Sequence, residues 1–142
     1  MSAAFCQRLL LAAALLVQGG AAVAAAVLPH YAADRTVGVG SCASSLCHGA
    51  VETWKDSPVL QNEYITWSRA DKHARAYSVL LNDRSREIVR RLGVTQPAHQ
   101  NDLCLDCHAH NPPPAQRGPG FQVSDGVSCE GCHGPASRWL SS

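Results

Sequence analysis

The chain has 142 residues, with 12 Lys or Arg against 11 Asp or Glu, a formal charge of +1, and 46% hydrophobic residues. So even a charge balance excludes the cationic surface on which nucleic-acid binding rests, and no run of like charge forms a tail. The length suffices for one domain, yet Phe occurs only at Phe5 and Phe121 and Met only at Met1. A core of side chains alone would be thin, and small domains in that position need staples or metals.

In chain order, Arg8, the apolar run Leu9 to Val17 and the small residues after it have the layout of an export signal. Ala24 and Ala26 stand where an A-x-A cleavage site needs them, which predicts a signal peptide over 1–26 and a mature domain over 27–142. The alternative is an uncleaved anchor, because residues 9–28 come to the ~20 needed to cross a bilayer, although Gln18, Gly19 and Gly20 interrupt them. Cys6 lies inside this segment without a lipobox and is assigned no chemistry. Cleavage would remove Arg8 and no acid, so the formal charge of the mature chain falls to zero.

Residues 27–41 read as an extended entry rich in Ala, Val and Gly, with a short helical piece after it that is broken between Trp54 and Pro58. Tyr64, Trp67, Ala70, Ala74, Tyr77 and Leu81 recur at spacings of three and four, which predicts a long helix from Asn62, as N-cap, to Leu81. Asp83 is the expected cap of a second helix that runs to Leu92 and ends at Gly93. Between Asn111 and Gly120 four prolines and two glycines rule out helix and central strand, so this stretch is a loop. No segment alternates as a strand should, and the predicted fold is mostly α with extensive loops and little or no β-sheet.

Six cysteines remain, and they form three local pairs, each followed at once by histidine: Cys42/Cys47/His48, Cys104/Cys107/His108 and Cys129/Cys132/His133. With seven histidines in 142 residues, three such placements would coincide by chance in roughly one chain in ten thousand, so the pattern is specific. Two thiols about a turn apart can form thioethers with the vinyl groups of one haem, and the adjacent imidazole then lies under the ring as an axial ligand to iron. The second and third motifs have the usual two-residue spacer. The first has four, Ala43-Ser44-Ser45-Leu46, and must bulge to keep both sulfurs on one haem. Zinc, three disulfides and an iron–sulfur cluster are the alternatives. Zinc and disulfides leave the trailing histidines unexplained, and the 21 residues between Cys107 and Cys129 slightly exceed the zinc-ribbon span of about 15–20.

His48, His108 and His133 are therefore the expected proximal ligands, and His30, His73, His99 and His110 are candidates for the distal positions, since Met1 would leave with the signal. His73 is favoured, because on a helical wheel it borders the apolar arc between Tyr77 and Leu80, with the small Ala70 and Ala74 beside it. A lone histidine is otherwise more often a satisfied core residue. Seven basic residues between Arg69 and Arg91 form either a solvated face or a cationic rim that pairs with haem propionates or guides an acidic redox partner.

The residues Ser41-Cys42, Cys47-His48-Gly49, Asn62-Glu63-Tyr64, Trp67 and Asp71-Lys72-His73-Ala74-Arg75-Ala76-Tyr77 resemble the multihaem cytochromes of the cytochrome c-554 and c-prime type. The likeness continues through Cys104-Leu105-Asp106-Cys107-His108 to Gly126-Val127-Ser128-Cys129-Glu130-Gly131-Cys132-His133-Gly134-Pro135. It implies a helical chain wrapped around closely stacked haems, His73 as an axial ligand, and electron transfer in a respiratory chain. Related chains usually continue into a further haem motif and another histidine, which suggests that this chain is the N-terminal part of a longer protein. The expectation is an exported, periplasmic carrier with three covalently attached haem c groups that serves redox partner proteins. The alternative is an oxidoreductase, or a subunit of one, acting on a small nitrogen or sulfur compound at a haem with an open axial site.

Overall fold

A computed structural model describes residues 32–140; the predicted signal segment with Cys6, and His30, lie outside the described residues. Helix α1, Glu63–Ala70, begins with an acid and carries Arg69 in its last turn, each charge opposing the helix dipole at its end. Asn62 does not cap it through its side chain. Glu63 instead ties the preceding loop to the helix, its Oε1 accepting from the amides of Leu60 at 3.1 Å and Gln61 at 3.2 Å.

The long helix expected from Asn62 to Leu81 is not continuous. It ends at Ala70, and the chain resumes as two 3-10 turns, His73–Arg75 and Ser78–Leu81. Asp71 is the cause: its residue is extended, and its Oδ1 accepts from both the backbone amide and Nδ1 of His73 at 2.9 Å. A local side-chain bond of this kind offers the backbone an alternative to the helical ladder. The apolar spacing persists through the break because 3-10 turns repeat at three residues, so Tyr77 and Leu80 still meet the core.

Helix α2, Asp83–Arg91, is capped by Asn82 rather than Asp83: Asn82 Oδ1 accepts from the Ser85 amide at 2.8 Å, and Asp83 is the first helical residue. Gly93 follows the helix with φ +67°, as a left-handed terminator should. Helix α3, Asp102–His108, has Asn101 as its cap, accepting from Leu103 at 3.0 Å. Helix α4, Glu130–His133, is a single turn.

Leu80, Val89, Ala98, Leu105 and Ala109 make the apolar core, with Tyr77, Val94, Cys104 and Val123 packed on it. It joins α2, α3 and the turns around them, and it is as thin as the composition requires. A second region forms where the entry segment meets the Pro-rich loop. Thr36 donates its amide to Gln116 at 2.8 Å and accepts from Gly118 at 2.7 Å, giving an isolated parallel bridge between Thr36 and Arg117. That bridge is the β-structure among the described residues, in keeping with the helical fold class. Several large apolar side chains remain outside the core, Leu46 at 79% and Leu103 at 78% exposure being the extreme cases. No helix of the described residues is long and apolar enough to cross a membrane.

Candidate haem-binding site

The first motif follows a 3-10 turn, Val39–Cys42. Its four-residue spacer closes on Ser44, whose carbonyl accepts from Cys47 at 2.9 Å and Gly49 at 2.8 Å, while its hydroxyl accepts from Leu46 at 3.3 Å. The extra residues are thus absorbed in one hydrogen-bonded turn, the bulge that the spacing calls for. His48 is tied to α1 twice: its carbonyl accepts from the Tyr64 amide at 2.9 Å, and its Nδ1 lies 2.9 Å from Glu63 Oε2. Burial acts to raise the Glu63 pKa, but the His48 hydrogen bond and the backbone amides outweigh it and hold the carboxyl below its usual range. An ionised carboxylate only accepts, so Nδ1 carries the proton and Nε2 is left with its lone pair for iron.

The second motif lies on α3, where Cys104 and Cys107, three apart, share one face. His108 Nδ1 donates to the Ala76 carbonyl at 3.0 Å. A carbonyl also fixes the tautomer, again leaving Nε2 with its lone pair. A cavity of about 620 Å³ adjoins this motif, lined among others by Cys107, His73, His110, Pro112 and Gly131, within the usual range of ~300–1,000 Å³ for cofactor sites.

The third motif occupies α4 and the residue before it. Glu130, inside the motif, is buried to 1% exposure. Its Oε1 accepts from Val37 at 2.9 Å and Ala136 at 2.7 Å, and its Oε2 accepts from Gly38 at 2.9 Å. One side chain thereby ties the motif to the entry segment and to the chain that follows. Val127, just upstream, is held between α1 and the His73 turn: Trp67 Nε1 donates to its carbonyl, and its amide donates to the His73 carbonyl, each at 3.1 Å. Gly126 lies at φ +75°, and a Cβ there would come within 2.4 Å of the His73 carbonyl oxygen.

Two further cavities flank this motif. One of about 350 Å³ is bordered by Leu60, Trp67, His73, Cys129, Cys132 and His133. The other, about 370 Å³, is bordered by Cys42, His48, Tyr64, Cys129, His133 and Trp139, so the first and third motifs face the same space. Both motifs' first cysteines border it, and Cys42 lowers the Cys129 thiol against the effect of burial while Cys129, with burial, raises Cys42.

Of the distal candidates, His73 borders both the 620 Å³ cavity of the second motif and the 350 Å³ cavity of the third. Its Nδ1 is held by Asp71, and the Asp71 carboxyl is lowered first by the His73 backbone amide and then by the imidazole, against desolvation. His110 is buried, 3.2 Å from Thr36 Oγ1 through Nε2, with its ring edge-on to Phe121, and it also borders the 620 Å³ cavity. His99 packs edge-on against Tyr77 and borders none of these three cavities.

The six cysteines stand as free thiols, and among the described residues no three His, Cys, Asp or Glu side chains converge as a metal polyhedron would require. Pairs of thiols beside a cavity, each followed by an imidazole whose tautomer is set in the first two motifs, fit haem c. Three residues of this site escaped sequence reasoning. Asp71 had a legible signal, an Asx residue two before a histidine; Glu63 and Glu130 act across folds of the chain and had none.

A family model described as cytochrome c554 and c-prime matches residues 41–134, spanning all three motifs. No curated protein and no solved structure matches the chain.

Proposed function

The chain belongs to the cytochrome c554 and c-prime family, a c-type cytochrome that carries electrons on covalently bound haem c, and we propose that it is an exported relay with three haems. They are held by Cys42/Cys47/His48, Cys104/Cys107/His108 and Cys129/Cys132/His133, and His73 serves as a distal ligand. The observation that carries this reading is the adjacency of the three attachment sites. The first and third share a cavity bordered by Cys42, His48, Cys129 and His133, and the third and second share His73 as a bordering residue. The spatial order is first, third, second, which differs from the order in sequence. Haem supplies the one-electron couple; the chain's own part is to fix the proximal imidazoles, as Glu63 and Ala76 do for His48 and His108.

The periplasm is the proposed compartment, reached through the export-like segment over 1–26. The proposed partners are redox proteins with acidic faces, guided by the basic residues between Arg69 and Arg91. Whole-protein mass after expression with a haem-attachment system tests the count. Three haem increments are expected, and each double Cys→Ala change at one motif should remove one. A chain without added mass would sink the reading. Low-spin spectra from every haem support a carrier, whereas a high-spin haem that binds added ligand turns the reading towards the oxidoreductase.

A further inference from the structure

We infer that Glu63 is a positioning residue that lowers the reduction potential of the haem at Cys42/Cys47 by acting through His48, an inference that rests on the trihaem reading above. The three proximal histidines differ in what their Nδ1 meets. His108 donates to a neutral backbone carbonyl, His133 makes no side-chain hydrogen bond among the described residues, and His48 donates to a carboxylate. A charged acceptor makes a hydrogen bond roughly twice as strong as a neutral one, and an imidazole so polarised is a more basic ligand that favours the oxidised iron.

The local fold is arranged to hold that carboxylate in place. Oε1 is fixed by the amides of Leu60 and Gln61, which leaves Oε2 for His48 at 2.9 Å. The loop that supplies those amides contains Gln61 at φ +61°, a left-handed conformation uncommon outside glycine. The buried Oε1 of Gln61 has no hydrogen-bond partner. Unfavourable features persist where the surroundings over-determine them, and they gather at functional sites. Here the loop is clamped by Ala50, whose amide donates to the Gln61 carbonyl at 2.8 Å, and by Tyr64, whose amide donates to the His48 carbonyl. Both contacts bind the first motif to α1 and keep the imidazole and the carboxylate in register.

Glu63→Gln tests this. A glutamine can keep its oxygen on the Leu60 and Gln61 amides, but then turns an NH2 towards the His48 N–H, so the charge and the acceptor are both lost. Potentiometric titration of the loaded three-haem protein should show one potential raised by about tenfold in the redox equilibrium, equivalent to ~59 mV for one electron. The low-spin electron paramagnetic resonance signal of the same haem should shift, which a purely structural role would not require. Glu87→Gln, at an exposed carboxylate, should move neither. A protein that weighs three haems yet keeps all its potentials in Glu63→Gln overturns the inference, as does a shift that survives in a chain with Cys42→Ala and Cys47→Ala. A missing haem in the unsubstituted protein instead overturns the trihaem reading. Should Glu63→Gln fail to load, Glu63→Asp replaces it; a smaller shift of the same sign supports the inference and no shift overturns it.

Discussion

Glu130→Gln is the most exacting test of how the third motif is held. The carboxylate is buried and accepts three backbone amides, two at Oε1 and one at Oε2. A glutamine keeps one accepting oxygen and sets its NH2 against at least one amide. A buried donor left unsatisfied costs ~1–3 kcal/mol, and the remaining bonds fall from the charged to the neutral range. Removing a buried charge offsets part of this by relieving desolvation, leaving a net loss of about 2 kcal/mol. For a domain near one hundred residues each kcal/mol lowers the midpoint by roughly 4–8 °C, so thermal unfolding followed by far-ultraviolet circular dichroism should drop by about 10 °C. Hydrogen exchange should quicken at the amides of Val37, Gly38 and Ala136, while amides of α2 keep their protection at matched stability. Glu130→Ala leaves all three amides without this acceptor and should cost at least ~3 kcal/mol. A midpoint within about 2 °C of the parent for Glu130→Gln, with those three amides still protected, would refute the reasoning.

Leu105→Ala empties the centre of the small core and should cost ~2–5 kcal/mol in chemical denaturation, since Leu105 is 6% exposed among Leu80, Val89 and Ala98. Asn82→Ala should destabilise by about 1 kcal/mol and Asp83→Ala by distinctly less, because the cap bond to Ser85 belongs to Asn82. Thr36→Val removes the hydroxyl 3.2 Å from His110 Nε2 and should cost ~1 kcal/mol, read from the same denaturation curves. The Glu87 carboxyl is held below its ordinary 4.5 by Arg90 and then Arg91. A depressed folded-state value means that its contribution is full above about 4.5 and is lost as pH falls through the lower folded value. Glu87→Gln should therefore lower stability above about 4.5 and flatten the acid limb, the parent and variant profiles converging at low pH.

The Cys/Cys/His pattern behind the family assignment was legible in the residues alone, because thioether attachment and proximal ligation would need groups that are neighbours in the chain. The three Cys/Cys/His motifs, the bulged first spacer, the thin core and the helical class all follow from spacing and composition. Boundaries were less legible. The periodicity from Tyr64 to Leu81 is shared by an α-helix and by successive 3-10 turns, and the choice fell to one Asp71 carboxylate competing for the backbone. The cap of α2 moved by one residue because Asn82 and Asp83 are both competent caps, and only the chain's path decides which oxygen reaches Ser85.

What the tertiary structure alone decided is the arrangement of groups distant in sequence. It brings Cys42 beside Cys129, sets Glu63 against His48, drives Glu130 into the amides of Val37 and Gly38, and seats His110 next to Thr36. Each of these contacts depends on where loops close, and loop closure is governed by the summed packing of the whole domain rather than by any local preference. Residue types announce which chemistry is present; folding determines which partners that chemistry meets.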